Sequence, residues 1–128
     1  MGVLLDKSGK SHDAALSLLS SGQYCNSIQC SYFSCLQLAK DVILSKAKDA
    51  DLIERELKDS NASHVTIIKM ASEAINSGRR EKEVLLDIMP RLKRWRKNAV
   101  YDDTTFEEEE ASEALRNCES VNRILQKR

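Results

Sequence analysis

Residues 23–48 read QYCNSIQCSYFSCLQLAKDVILSKAK, and their spacing decides the fold class. Ile28, Tyr32, Cys35, Leu36, Ala39, Val42, Ile43 and Ala47 recur at steps of three and four. That rhythm is one face of an α-helix about seven turns long, and its breadth predicts the central helix of a core. Tyr24, Ser27 and Tyr32 lie along it. Ser and Tyr at helical spacing are read as packing rather than as a polar site.

Outward from this helix, the same period recurs. Upstream, Ser11 is a suitable N-cap, Ala14, Ala15, Leu18 and Leu19 follow at helical steps, and Gly22 is a stop. A short first helix over 11–21 is expected, with 1–10 as a lead-in. Downstream, 49–58 is charged around Leu52, Ile53 and Leu57 and extends the long helix or forms a short one. Asp59 to Ser63 is a loop with capping chemistry. His64, Ile67, Ile68, Ala71, Ala74 and Ile75 give a further face ending at Asn76-Ser77-Gly78. Leu85, Ile88, Leu92, Trp95 and Ala99 hold the rhythm across Pro90, which predicts a kinked helix rather than a fresh start. Thr105 with Glu108 fits a capping box, and the acidic run Glu107 to Glu110 suits a helix N-terminal pole. Ala111, Ala114, Leu115, Cys118, Val121 and Leu125 complete a last helix. Five helical segments and no strand imply one all-α domain over 1–128, an up-and-down four-helix bundle with an additional short helix. One Pro and four Gly in 128 residues suit long helices and short loops.

Composition narrows the function classes. Lys plus Arg and Asp plus Glu both number 20, so nucleic-acid binding has to come from a local patch rather than from net charge. The patch on offer is Lys93, Arg94, Arg96 and Lys97, with Arg79 and Arg80 upstream. No apolar run has the length of a membrane span, and 1–10 lacks the apolar core of a signal peptide. Cys25, Cys30 and Cys35 are five apart, which steps them around a helix, and Cys118 is remote. With only His12 and His64 as further soft ligands, they read as reduced, packed thiols of a cytoplasmic protein, with no metal and no cofactor.

Chemistry concentrates at the end of the Pro90 helix. Arg96, Asn98, Tyr101 and Asp102 fall within two turns. Arg96 and Tyr101 differ by five residues, or about 140° around the axis. A guanidinium fork near a phenol and an amide is a phosphate-binding set. A solvated basic helix end is the plainer reading of the same residues. His64, in a first turn, reads as a capping or core histidine unless folding brings it to Arg96.

Three stretches together resemble the HEPN-domain family, in its small stand-alone prokaryotic branch. They are Gly22-Gln23-Tyr24 through Ser27, Tyr32-Phe33, Leu36, Ala39-Lys40 and Leu44; Ser63-His64; and Leu92, Arg96, Ala99 and Tyr101-Asp102 before the acidic helix start. The resemblance implies a bundle of four main helices plus a short one. It implies homodimers with the Arg-bearing segments face to face, and a minimal nucleotidyltransferase as partner protein, as in toxin–antitoxin pairs. Many such proteins are metal-independent ribonucleases with an Arg, a polar residue and, four to six residues on, a His. Arg96 takes the Arg position and Lys97 or Asn98 the polar one, but Tyr101 stands where the His belongs. A phenol with a reference pKa near 10 is a poor base at neutral pH. The expectation is therefore a non-catalytic or degenerate module. It would bind RNA, a nucleotide or a partner protein through Arg96, Asn98, Lys97, Arg94, His64 and Asp102. The alternatives are a ribonuclease using Arg96 with Tyr101 or His64, and a purely structural dimeric bundle.

Overall fold

The computed structural model describes residues 2–47, 49–59, 63–101 and 105–127, without the side chains of 50, 56–59 and 63. All secondary structure in these residues is helical: α1 Val3–Ser20, α2 Tyr24–Lys46, α3 Ala50–Asp59, α4 Ser63–Ala74, α5 Arg79–Tyr101 and α6 Glu108–Leu125. Residues 60–62 of the expected capping loop and the 102–104 linker, with the candidate Asp102, lie outside the described residues.

The long helix is central, as its apolar face requires. α2 packs against α1, α4, α5 and α6, and those four touch one another in the order α1–α6–α5–α4 around it. Ile28, Tyr32, Cys35, Leu38, Ala39 and Val42 of α2 are fully or almost fully buried, against Ile67, Leu85, Met89, Leu92, Val121 and Leu125. Each large aliphatic side chain so buried stabilises the fold by about 1.5–3 kcal/mol.

The first helix departs from expectation. It starts at Val3 rather than at 11, and residues 3–10 are its first two turns, not a lead-in. Ser11 is no N-cap; it lies inside the helix with its hydroxyl 2.7 Å from the Gln37 side-chain amide. The cause is a face built from small residues. Ser8 and Ala15 are buried where α1 runs along α2, its most extensive neighbour. The Ser8 hydroxyl donates to the Ser34 carbonyl and the Ser34 hydroxyl to the Ser8 carbonyl, both at 2.8 Å. The Ser27 hydroxyl donates to the Ala15 carbonyl at 2.7 Å. A seam held by hydroxyls carries no apolar rhythm. The helix stops as expected: Gly22 has φ 80°, and the Gln23 N–H reaches back to the Leu18 carbonyl at 2.8 Å.

At the other end of the chain, α5 runs through Pro90 as one helix. The capping box of α6 is built from Glu107 and Glu110, not from Thr105 and Glu108; the Glu107 N–H donates to Glu110 Oε1 at 3.1 Å. Carboxylates at the positive pole displace the hydroxyl two residues outside it. The charged stretch after α2 forms the short separate helix α3, so the described residues hold six helices where five segments are expected. No helix among the described residues is long and apolar enough to cross a membrane.

Candidate functional site

α2, α4 and α5 each bring one face to the end of α5. Adjacent Tyr32 and Phe33 belong to the fourth decade of the chain on α2, His64 is the second residue of α4, and Arg96 lies five residues before the end of α5. Tyr32 is fully buried, and its hydroxyl meets His64 Nδ1 at 2.9 Å. Their ring centroids are 5.6 Å apart. The Arg96 guanidinium lies 5.1 Å from the Phe33 ring centroid and 5.9 Å from that of Tyr101. Tyr32 and Phe33, 6.2 Å apart, connect the two halves of the cluster.

Among the described residues, Arg96 is held by aromatic faces rather than by an acid. No ion pair involving it occurs among the described residues, and its Nε is buried without a hydrogen-bond partner. Aromatic faces attract a guanidinium without consuming its in-plane donors, and Nε is left without a partner among the described residues.

The surroundings of His64 are cationic. Burial lowers its pKa below 6.5, and the charges of Lys93, Arg96 and Lys40 lower it further. The imidazole is therefore neutral at pH 7, with Lys93, Arg96 and Lys40 as the charges acting on it. The Tyr32 phenol is pushed above its ordinary value of 10 by burial, against the pull of Arg96, so it keeps its proton. With Nδ1 bonded to Tyr32, Nε2 is the ring nitrogen that makes no hydrogen bond among the described residues. When the phenol donates to Nδ1, Nε2 carries hydrogen and donates; when the phenol accepts, Nε2 is a base.

Of the residues singled out in the sequence, Arg96, Tyr101 and His64 belong to this cluster. Tyr101 is 70% exposed, so its hydroxyl is accessible from solvent. Arg94 lies apart, on a groove of about 400 Å³ between α4 and α5, lined also by Val65, Ile68, Leu86, Pro90 and Lys93. Lys97 is exposed and Asn98 half-buried, and no hydrogen bond among the described residues joins either to the cluster. Arg79 is engaged by Glu83 at 3.0 Å, which sets it apart from the basic patch. Tyr32, Phe33 and Lys40 are site residues that the sequence offers only as packing or as part of a family likeness. Their signal is positional: Phe33 and Lys40 are seven apart, two turns along one face of α2.

The cysteines are free thiols, with Cys35 and Cys118 buried and Cys25 and Cys30 half-buried. Among the described residues no cluster of three or more His, Cys, Asp or Glu forms a metal-ligand set. No family model, curated protein or solved structure matches the chain.

Proposed function

We propose that the chain is a HEPN-like helical module that binds the phosphates of RNA or a nucleotide at the Arg96 face. One observation carries this reading. A guanidinium laid against Phe33 and Tyr101 keeps a buried Nε without a partner among the described residues, and it acts with Lys93 and Lys40 on a neutral His64. A phosphate oxygen pair meets the guanidinium fork, the ammonium groups add charge, and His64 Nε2–H supplies a neutral donor. On the same reading the four long helices around and including α2 are the family's bundle. The protein acts as a homodimer that joins two such faces, and a nucleotidyltransferase-type protein is its partner in a toxin–antitoxin pair.

A second reading rests on the approach of His64 to Arg96. The family's His is absent after Arg96, yet His64 of α4 is near enough for the Arg96 charge to lower its pKa. In the tautomer with Nε2 unprotonated, His64 takes the proton of a ribose 2′-hydroxyl as it attacks the adjacent phosphate, and Arg96 stabilises the charge that develops. Tyr32 holds the ring, and Tyr101 is not needed as a base.

The binding reading is tested with a labelled single-stranded RNA and purified protein at low salt. The expected result is saturable binding by the wild type and its loss in a folded Arg96→Ala variant. Binding that survives this change overturns the reading. Incubation in chelator separates the second: cleavage abolished by both Arg96→Ala and His64→Ala but spared by Tyr101→Phe supports it, and an intact RNA rejects it.

A further inference from the structure

The seam between α2 and α6, away from the Arg96 face, holds a second reactive arrangement. Cys35 on α2 and Cys118 on α6 are both 0% exposed, and Cys35 Sγ donates to the Cys118 carbonyl at 3.7 Å. Asn122, one turn after Cys118, donates from Nδ2 to Cys118 Sγ at 3.6 Å and to Ser34 Oγ at 3.0 Å. Asn122 also lines a groove of about 430 Å³ between α1 and α6, together with His12 and Glu119. One side chain therefore contacts both the Cys118 sulfur and the groove.

The two sulfurs are unlike. The Cys35 thiol is pushed well above its ordinary value by burial. Cys118 is lowered instead, first by the neighbouring Cys35 thiol, then by Ser34 and by the positive charge of His12, against the cost of burial. His12 is biased towards that charge, chiefly by Glu119 at 2.9 Å from Nε2. A thiolate-biased sulfur beside a protonated one is the asymmetry of an attacking and a resolving thiol.

We propose that Cys35 and Cys118 are a redox-active dithiol, converted by a hydroperoxide into a disulfide that ties α2 to α6, with Cys118 as the attacking sulfur. The Cys118 thiolate attacks one peroxide oxygen; an S–O bond forms, the O–O bond breaks, and the departing oxygen takes up the proton that the thiol released, leaving a sulfenic acid and water. Cys35 sulfur then attacks Cys118 sulfur; the S–S bond forms, the S–O bond breaks, and hydroxide leaves with the Cys35 proton as water. Two thiols lose two electrons in total, and hydrogen peroxide is reduced to two waters. Asn122, which touches Cys118 Sγ and lines the groove, marks the side from which the peroxide approaches.

The test treats reduced full-length protein with a small molar excess of hydrogen peroxide under native conditions. Alkylation and peptide mass mapping without reductant follow. The expected product is a Cys35–Cys118 linked peptide, formed with helical circular dichroism retained and reversed by dithiothreitol. Cys35→Ala should stop the reaction at a Cys118 sulfenic acid that a dimedone probe captures. Recovery of Cys35 and Cys118 as free thiols while Cys25 and Cys30 carry the oxidation overturns the proposal. So does a disulfide that involves Cys25 or Cys30, or one that forms only after unfolding. The wild-type map decides the matter even where a variant does not fold.

Discussion

Two histidines titrate in opposite directions, and each direction follows from its neighbours. His12 meets Glu119 at 2.9 Å and Asp13 at 3.3 Å, and its pKa is raised. The stabilisation from that pairing is fully present below the unfolded value of about 6.5 and is lost as pH rises through the folded value. His64 is lowered by burial and by Lys93, Arg96 and Lys40. Its contribution is present above about 6.5 and is lost as pH falls through the folded value, because the unfolded chain binds the proton more readily. Denaturant unfolding across pH 5–8 reads both: His12→Gln should remove stability mainly on the acid side, and His64→Gln should reduce the loss on acidification. Opposite outcomes would reverse the assignments. Tyr32→Phe removes one neutral hydrogen bond from a fully buried ring and should cost about 1 kcal/mol, with its Tm lowered accordingly. At this scale the sequence showed Arg96 and Tyr101 plainly, since a basic cluster beside a phenol stands out. It left the Tyr32–His64 contact open, because 32 residues separate the pair and no local pattern reports a contact across helices.

Helices α1 and α2 meet through hydroxyls, and this explains what periodicity reached and what it missed. α2 is legible because Ile28, Leu36 and Val42 are apolar on schedule. The first two turns of α1 are not, because Ser8 takes the place a Leu or Ile would fill and meets Ser34 by reciprocal hydrogen bonds. Ser8→Val removes that bond and adds bulk to a closed seam. Overpacking of this kind costs about 1–3 kcal/mol, and the loss of a buried hydrogen bond adds to it. Ser20→Val, at an exposed position of the same helix, should leave stability nearly unchanged. Equal losses from the two variants in urea unfolding would show that the seam is not specific. The capping frame of α6 was misread by two residues because Thr105 and Glu107 both satisfy the same spacing rule, and only the helix start distinguishes them. Pro90 shows the reverse: the apolar rhythm across it outweighed the proline, and one helix runs through.

Over the whole molecule, core and site share Tyr32 but part at Leu85 and Arg96. Leu85 is fully buried between α5 and the rest of the core, and Leu85→Ala should cost about 2–5 kcal/mol through lost burial and a cavity. Arg96→Ala should cost far less, since no ion pair among the described residues is broken, while RNA affinity falls. A variant pair measured by unfolding and by RNA titration checks this separation. The wild-type affinity should also fall steeply with added salt, although the chain's formal net charge is zero, because the charge that matters is the local group of Lys40, Lys93 and Arg96. The fold class was legible from period alone. The site was legible only in part, since its cations come from α2 and α5 and its histidine from α4. The most direct test of phosphate binding beside Arg96 is an NMR titration of the His64 imidazole in free protein and with saturating RNA oligonucleotide. The free ring should titrate below 6.5, and the bound phosphate should raise it by offsetting Lys40, Lys93 and Arg96. An unchanged His64 titration at saturation would mean that the phosphate lies elsewhere, and the Arg96 face would lose its assigned function.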